Sequence, residues 1–227
     1  MKKALIWISV GLNVLVVAVV ILAMSGSLFT IVAPLFRNYM VNPNYDRWVS
    51  QFEALSVEQS DVVFLGDSIT RGGSWDELYP DRPIRNRGIG GDTTSGVLER
   101  LHQVTSGNPS QVFLLIGTND ISFGEPDETI VSNISTIVDR IEDESPGTQV
   151  YIQSILPRAA DHRDRIEGLN EKIRERIIDR AEWVDLYPLF LDEDGSIADQ
   201  YSNDELHLHG AGYTVWSEAI GDQVRAR

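Results

Sequence analysis

Cysteine is absent from all 227 residues. That alone excludes a disulfide scaffold, a cysteine-ligated zinc site, a thioredoxin-like redox motif and a cysteine nucleophile. Lysine is nearly absent: beyond Lys2 and Lys3, only Lys172 occurs. Acidic residues are missing from the first forty positions, where Lys2, Lys3 and Arg37 are the only charges. The whole chain carries 34 Asp+Glu against 19 Lys+Arg, a formal net charge of -15. The acids therefore all fall after residue 40, where 16 bases oppose them. A surface of that sign repels phosphate backbones and anionic headgroups, so nucleic acid is not an expected partner. Screening by salt relieves such self-repulsion, and both salt adaptation and lineage composition bias account for it. Hydrophobic residues at 42% and charged residues at 23% fit a globular chain and not a disordered one.

The N-terminus instead holds a charge-free run over residues 4–24, interrupted only by the polar Ser9 and Asn13. At about 1.5 Å per residue it reaches roughly 30 Å, the thickness of a hydrocarbon core. Residues 1–40 are accordingly expected to be a membrane anchor with its juxtamembrane segment, a single transmembrane helix, and 41–227 the folded domain. Lys2 and Lys3 ahead of the run keep the N-terminus cytoplasmic and put the domain outside. The alternative is a signal peptide cleaved near Ala23-Met24-Ser25, giving a secreted protein, although signal h-regions are shorter, about 7–15 residues. Residues 28–36 are apolar but too few to span, and include Pro34.

From about Asn42 short apolar runs alternate with helical periodicity. Strands are expected at 62–65, 83–87, 112–116, 150–152 and 183–186. Helices are expected at 93–104, with Val97, Leu98 and Leu101 on one side, at 127–143, at 166–181 and at 211–224. The 127–143 helix buries Ile130, Ile134, Ile137, Val138 and Ile141. This alternation predicts an α/β fold: a parallel sheet covered on both faces, with its site beyond the carboxyl ends of the strands.

Four polar motifs fall there. Gly66-Asp67-Ser68-Ile69-Thr70 follows the first strand; a serine at such a turn can serve as a nucleophile, or Asp67 or Ser68 can simply cap the next helix. Gly88-Ile89-Gly90-Gly91-Asp92-Thr93 follows the second and can point backbone N–H groups into a site. It lacks the Gly-x-Gly-x-x-Gly spacing of a dinucleotide turn. Gly117-Thr118-Asn119-Asp120 follows the third, where the Asn119 amide can donate to an oxyanion or form an Asx-turn. Asp204-Glu205-Leu206-His207-Leu208-His209 sets an acid three residues before a histidine, close enough on one helical turn to orient the ring.

GDSIT, NRGIGGDT, GTND and DELHL, in that order and spacing, resemble the four blocks of the SGNH hydrolases, or GDSL esterases/lipases. The resemblance spans residues 62–216. It implies a three-layer α/β/α sandwich with a flavodoxin-like sheet and a nucleophile at Ser68. It implies His207 as general base with Asp204 as its partner. The oxyanion donors it implies are the N–H groups of Ser68 and Gly91 and the side-chain amide of Asn119. Where the family commonly has Gly after the acid and Asn two residues after the histidine, this chain has Glu205 and His209.

The chemistry so implied is ester hydrolysis through an acyl-serine, which needs no metal or cofactor. Short acyl groups, such as acetyl on a small molecule or saccharide, are the expected substrates. A lysophospholipase or thioesterase is the alternative, and a catalytically inert binding module the third reading. No Gly-x-Ser-x-Gly elbow is present, which excludes the ordinary α/β-hydrolase arrangement. A metal site from Asp204, His207 and His209 lacks a third strong ligand on a convergent scaffold. His162-Arg163-Asp164 reads as a solvated loop, Asn133-Ile134-Ser135 as a formal sequon on a helix, Trp75 and Trp216 as core, and His102 as an exposed helix face.

Overall fold

Strands buried on both faces read as unbroken apolar runs, and those runs pair here into one parallel sheet. The computed structural model describes residues 42–226. Its strands are β1 (Val62–Gly66), β2 (Ile84–Gly88), β3 (Gln111–Leu115), β4 (Gln149–Gln153) and β5 (Glu182–Val184). Their order is β2-β1-β3-β4-β5, with every neighbouring pair parallel. That is the flavodoxin-like doubly wound order expected, with its switch point between β1 and β3. Gly66 pairs with both Gly88 and Leu115, so β1, β2 and β3 end level and their loops leave from one line.

The helices are α1 (Asn42–Glu53), α2 (Ser68–Arg71), α3 (Trp75–Leu78), α4 (Thr94–Arg100), α5 (His102–Thr105) and α6 (Thr118–Phe123). After them come α7 (Asp127–Glu144), α8 (Arg163–Ile177), α9 (Tyr187–Phe190), α10 (Gly210–Ala219) and α11 (Gly221–Arg225). Side chains alternate along each strand, so each sheet face has its own core. Val63, Leu65, Val112, Leu114, Val150 and Ile152 pack with the apolar residues of α4, α7 and α8. Val62, Phe64, Phe113, Leu115 and Tyr151 face Trp75, Trp216, Ile220 and Val224. On that face Phe64, Phe113 and Tyr151 stack across three strands with centroids 5.2 and 4.4 Å apart.

Trp75 and Trp216 are wholly buried and meet edge-to-face at 4.7 Å, so both belong to the core as expected. Their indole N–H groups are satisfied by the Thr70 carbonyl at 2.7 Å and Gln153 Oε1 at 2.6 Å. Helix α7 has no side-chain cap at its N-terminus, and burial of Ile130, Val131, Ile134, Ile137, Val138 and Ile141 holds it. Each such side chain contributes about 1.5–3 kcal/mol on leaving water, more than a cap.

Several expected boundaries shift. The 93–104 segment divides at Leu101, and its buried side carries Val97 and Leu101 as expected together with Arg100, with Leu98 only partly covered. The last helix divides at Ile220, which leaves helical geometry (φ -108°, ψ 4°) with its side chain wholly buried. Helix α8 starts three residues earlier than expected, so Arg163 and Asp164 of the presumed loop are its first turn. The expected anchor at 4–24 and the stretch at 28–36 lie outside the described residues. Among the described residues no helix is long and apolar enough to cross a membrane.

Candidate active site

The loop after β1 turns at once into α2, with Asp67 as the N-cap and Ser68 as the first helical residue. Asp67 Oδ1 accepts from the Ile69 N–H at 2.9 Å. Capping and nucleophile placement are therefore not rivals, because the cap fixes the turn that presents Ser68. As first residue of a helix, Ser68 has no intrahelical acceptor for its N–H.

Ser68 Oγ lies 3.0 Å from His207 Nε2, and His207 Nδ1 lies 2.7 Å from Asp204 Oδ2. The Asp204–His207 segment is a turn and not the helical turn expected from spacing. Glu205 takes a left-handed φ of 57°, which ends any helical path between them. Asp204 Oδ1 instead accepts from the N–H groups of Leu206 at 3.1 Å and His207 at 2.7 Å. Ser202 Oγ adds a bond at 3.2 Å, and a bridge between Ser202 and Leu208 closes the loop. Partial burial raises the Asp204 carboxyl, but the hydrogen bonds from His207 outweigh it and leave it at about 2. The His207 and Asp204 side chains are 47% and 48% exposed, so the centre opens to solvent.

Gly91 takes φ 77°, a conformation that L side chains rarely adopt. Among the described residues no backbone carbonyl accepts from its N–H. Asn119 is the second residue of α6, and its Nδ2 donates to the Asp92 carbonyl at 2.9 Å. That bond uses one of the two amide hydrogens and ties Asn119 to the Gly91–Asp92 turn. A Cβ built on Gly90 would sit 3.9 Å from the Ser68 Cβ, so the same turn borders the serine. All five residues singled out in the sequence thus converge at the β1/β3 switch point. His209 caps α10 and is exposed; among the described residues its ring bonds neither Ser68 nor Asp204.

A hydroxyl against a histidine, with a carboxylate behind the ring and a glycine turn at its border, is an arrangement that can hydrolyse esters. Residues 64–215, which include every one of these groups, match the model of the GDSL-like lipase/acylhydrolase family. The chain belongs to that family. Its members are ester-hydrolysing enzymes, and this GDSL-like acylhydrolase is one of them. It is 32% identical over 189 residues to the alpha1 subunit of platelet-activating factor acetylhydrolase IB from Bos taurus, covering 77% of this chain and 81% of the relative. The alpha2 subunit from Rattus norvegicus is 29% identical over 184 residues, covering 74% and 79%. A solved GDSL-like lipase from Bacteroides thetaiotaomicron superposes with a TM-score of 0.71 at 25% identity, covering 81% of this chain and 98% of that one.

Beneath the site this GDSL-like hydrolase holds a buried polar layer to which sequence reasoning gave no role. Arg100, 2% exposed, donates to Asp92 Oδ2 at 2.8 Å and to the carbonyls of Gly66 and Arg87 at 3.2 and 2.9 Å. Asp120 accepts from Thr94 Oγ1 at 2.6 Å and from the Thr94 N–H, while Asn133 Nδ2 donates to Thr94 Oγ1 at 2.9 Å. The formal sequon asparagine is thus half-buried and bonded inward. Asp67 is fully buried with Oδ2 unpaired. Burial lifts its carboxyl to about 7, against the Ile69 N–H, with Asp92 and Asp120 adding to the rise. One signal was available: Arg100 follows the buried Val97 by three residues, a charge on the apolar side of a helix.

Proposed function

We propose that Ser68 attacks the carbonyl of a short-chain carboxylic ester, acetyl esters above all, with His207 as base and Asp204 as its orienting partner. The observation that carries this is the unbroken relay from Ser68 Oγ to His207 Nε2 at 3.0 Å and from Nδ1 to Asp204 at 2.7 Å. Nε2 takes the hydroxyl proton as Oγ bonds to the carbonyl carbon. Asp204 holds the Nδ1–H tautomer and stabilises the imidazolium. The N–H groups of Ser68 and Gly91 and the free Asn119 amide hydrogen receive the oxyanion. One such donor is worth about 2.7–4 kcal/mol in other enzymes. Collapse expels the alcohol, which takes the proton from Nε2. Water then repeats the sequence on the acyl-serine and releases the acid. None of these steps calls for a cofactor.

Two considerations support a short acyl group. The curated relatives are named acetylhydrolases. The half-exposed His207 and Asp204 leave room for a bulky alcohol, such as a saccharide, outside the protein. The reading also sets the domain outside the cytoplasmic membrane, on the sequence argument of Lys2, Lys3 and the charge-free run after them.

The test compares p-nitrophenyl esters of rising chain length, acetylated saccharides and a lysophospholipid, with wild-type protein and Ser68→Ala. Acetyl esters should give the highest kcat/KM, and Ser68→Ala should lose turnover while keeping its unfolding midpoint. A maximum at long chains or on lysophospholipid establishes the lipolytic alternative. Full activity of Ser68→Ala refutes the serine mechanism.

A further inference from the structure

We propose that Arg71 recognises substrate: its guanidinium, stacked on Trp48 at the edge of the catalytic turn, binds a phosphate or carboxylate carried by the alcohol part of the ester. The inference rests on the esterase reading above and adds to it the charge of the substrate.

Ser68 and Arg71 are the first and last residues of α2, three positions apart and therefore on one side of a helical turn. The backbone of Arg71 is fixed from two directions. Its N–H donates to the Asp67 carbonyl at 2.9 Å, and its carbonyl accepts from Asn86 Nδ2 at 3.2 Å. The side chain then runs toward the oxyanion turn. The position a Cβ on Gly90 would take lies 3.6 Å from Arg71 Nη1 and 3.9 Å from the Ser68 Cβ. Because residue 90 is glycine, that space stays open, with the nucleophile on one side and a guanidinium on the other. No left-handed φ demands glycine there, and alanine would meet only ordinary contacts, so the gap is not a backbone necessity.

The guanidinium is held but not neutralised. Its Cζ lies 4.4 Å from the Trp48 ring centroid, and among the described residues its N–H groups make no hydrogen bond. Six described arginines pair with acids, among them Arg85 with Asp61, Arg100 with Asp92 and Arg165 with Asp127, whereas others such as Arg87 and Arg158 do not. Among the described residues Arg71 has no such ion pair, although the chain has 34 acids to offer. An exposed cation beside a nucleophile, on a chain of net charge -15, is a local attractor for an anion that the rest of the surface repels. The fork matches both carboxylate and phosphate geometry. With a short, uncharged acyl group the charge belongs to the alcohol.

The test uses the full chain and two matched pairs of acetyl esters. One pair is 4-acetoxybenzoate and its methyl ester; the other is acetylglycerol phosphate and acetylglycerol. The readout is the ratio of kcat/KM for the anionic over the neutral member. In wild type at low salt it should reach about tenfold for at least one pair, carried by KM, and shrink as ionic strength rises. Arg71→Gln should bring it to one or below, because the acidic surface then acts unopposed, and Arg71→Lys should keep part of it. Whichever pair gives the larger ratio identifies the anion as carboxylate or phosphate. A wild-type ratio near one, or a ratio that Arg71→Gln leaves unchanged, overturns the proposal. If Arg71→Gln does not fold, the Arg71→Lys ratio and the salt dependence decide. Turnover of the neutral esters without anionic preference refutes this inference alone, whereas no turnover of any ester refutes the esterase reading and this inference with it.

Discussion

Arg100 and Asp92 form an ion pair at 2.6 Å with side chains only 2% and 0% exposed. The same guanidinium reaches the carbonyls of Gly66 and Arg87 at the ends of β1 and β2, and the Asp92 carbonyl holds the Asn119 amide. One buried cation thus fastens the Gly90–Gly91–Asp92 turn to the sheet edge that carries Ser68. Burial raises the Asp92 carboxyl, and Arg100 is the first of the groups that oppose the rise.

Arg100→Met should therefore cost far more than a surface arginine. Removing one partner of a buried pair leaves the other charge uncompensated, at about 3–5 kcal/mol. Denaturant unfolding should show that loss, and kcat/KM should fall as the oxyanion turn loosens. The Arg100→Met/Asp92→Asn double variant should recover part of the stability, since neither charge of the pair remains. A single variant within about 1 kcal/mol of wild type contradicts this account.

Asp67 gives a pH signature. Its carboxyl stands at about 7 in the fold, above the usual value of about 3.9 in an unfolded chain. Between those values the folded state holds a proton that the unfolded state does not, so stability falls as pH rises from about 4 to 7 and levels off above. Asp67→Asn keeps an oxygen to cap α2 and cannot ionise. Its stability should lack that fall, so the variant gains on wild type as pH increases. Parallel curves for the two proteins across pH 4–8 count against it.

Glu205 occupies a left-handed φ of 57° between the acid and histidine of the site, where the family commonly has glycine. That conformation costs an L-residue about 1–2 kcal/mol. Glycine returns roughly 0.5–1 kcal/mol of this through its greater freedom when unfolded. Glu205→Gly should accordingly stabilise the protein slightly, by under about 1 kcal/mol, and leave kcat near wild type. A clear drop in the thermal midpoint would show that the Glu205 side chain matters more than its backbone.

The sheet and the convergence of Ser68, Gly91, Asn119, Asp204 and His207 were legible because they depend on local signals. Apolar runs such as 112–116 mark buried strands, and the first three motifs each follow a strand whose end the register aligns with its neighbours. What escaped depends on partners distant in sequence. Arg100 shares the buried side of α4 with Val97, but its acceptors lie on Asp92, Gly66 and Arg87, and spacing along the helix does not name them. The Asp204–His207 geometry was misread as a helical turn because spacing alone does not reveal the positive φ at Glu205. The break at Ile220 was missed although Gly221, a residue that commonly ends helices, follows it directly.

The two histidines of the last motif separate by kinetics. His207 bonds both Ser68 and Asp204, whereas His209 caps α10 and lines a groove of about 720 Å³ with Gly72, Leu208 and Tyr213. His207→Ala should lower kcat by several orders of magnitude, as loss of a triad member does in serine proteases. His209→Asn should change kcat less than about tenfold, with any effect in KM, because it alters only the groove wall. The pH profile adds a second check. A hydroxyl proton can pass only to a neutral imidazole, so the partner carboxylate should add no ionisation of its own to the kcat/KM profile. Asp204, held at about 2, contributes none in the working range. A dead His209→Asn enzyme, or a second acid-side ionisation above pH 3 that vanishes in Asp204→Asn, assigns the base or its partner wrongly.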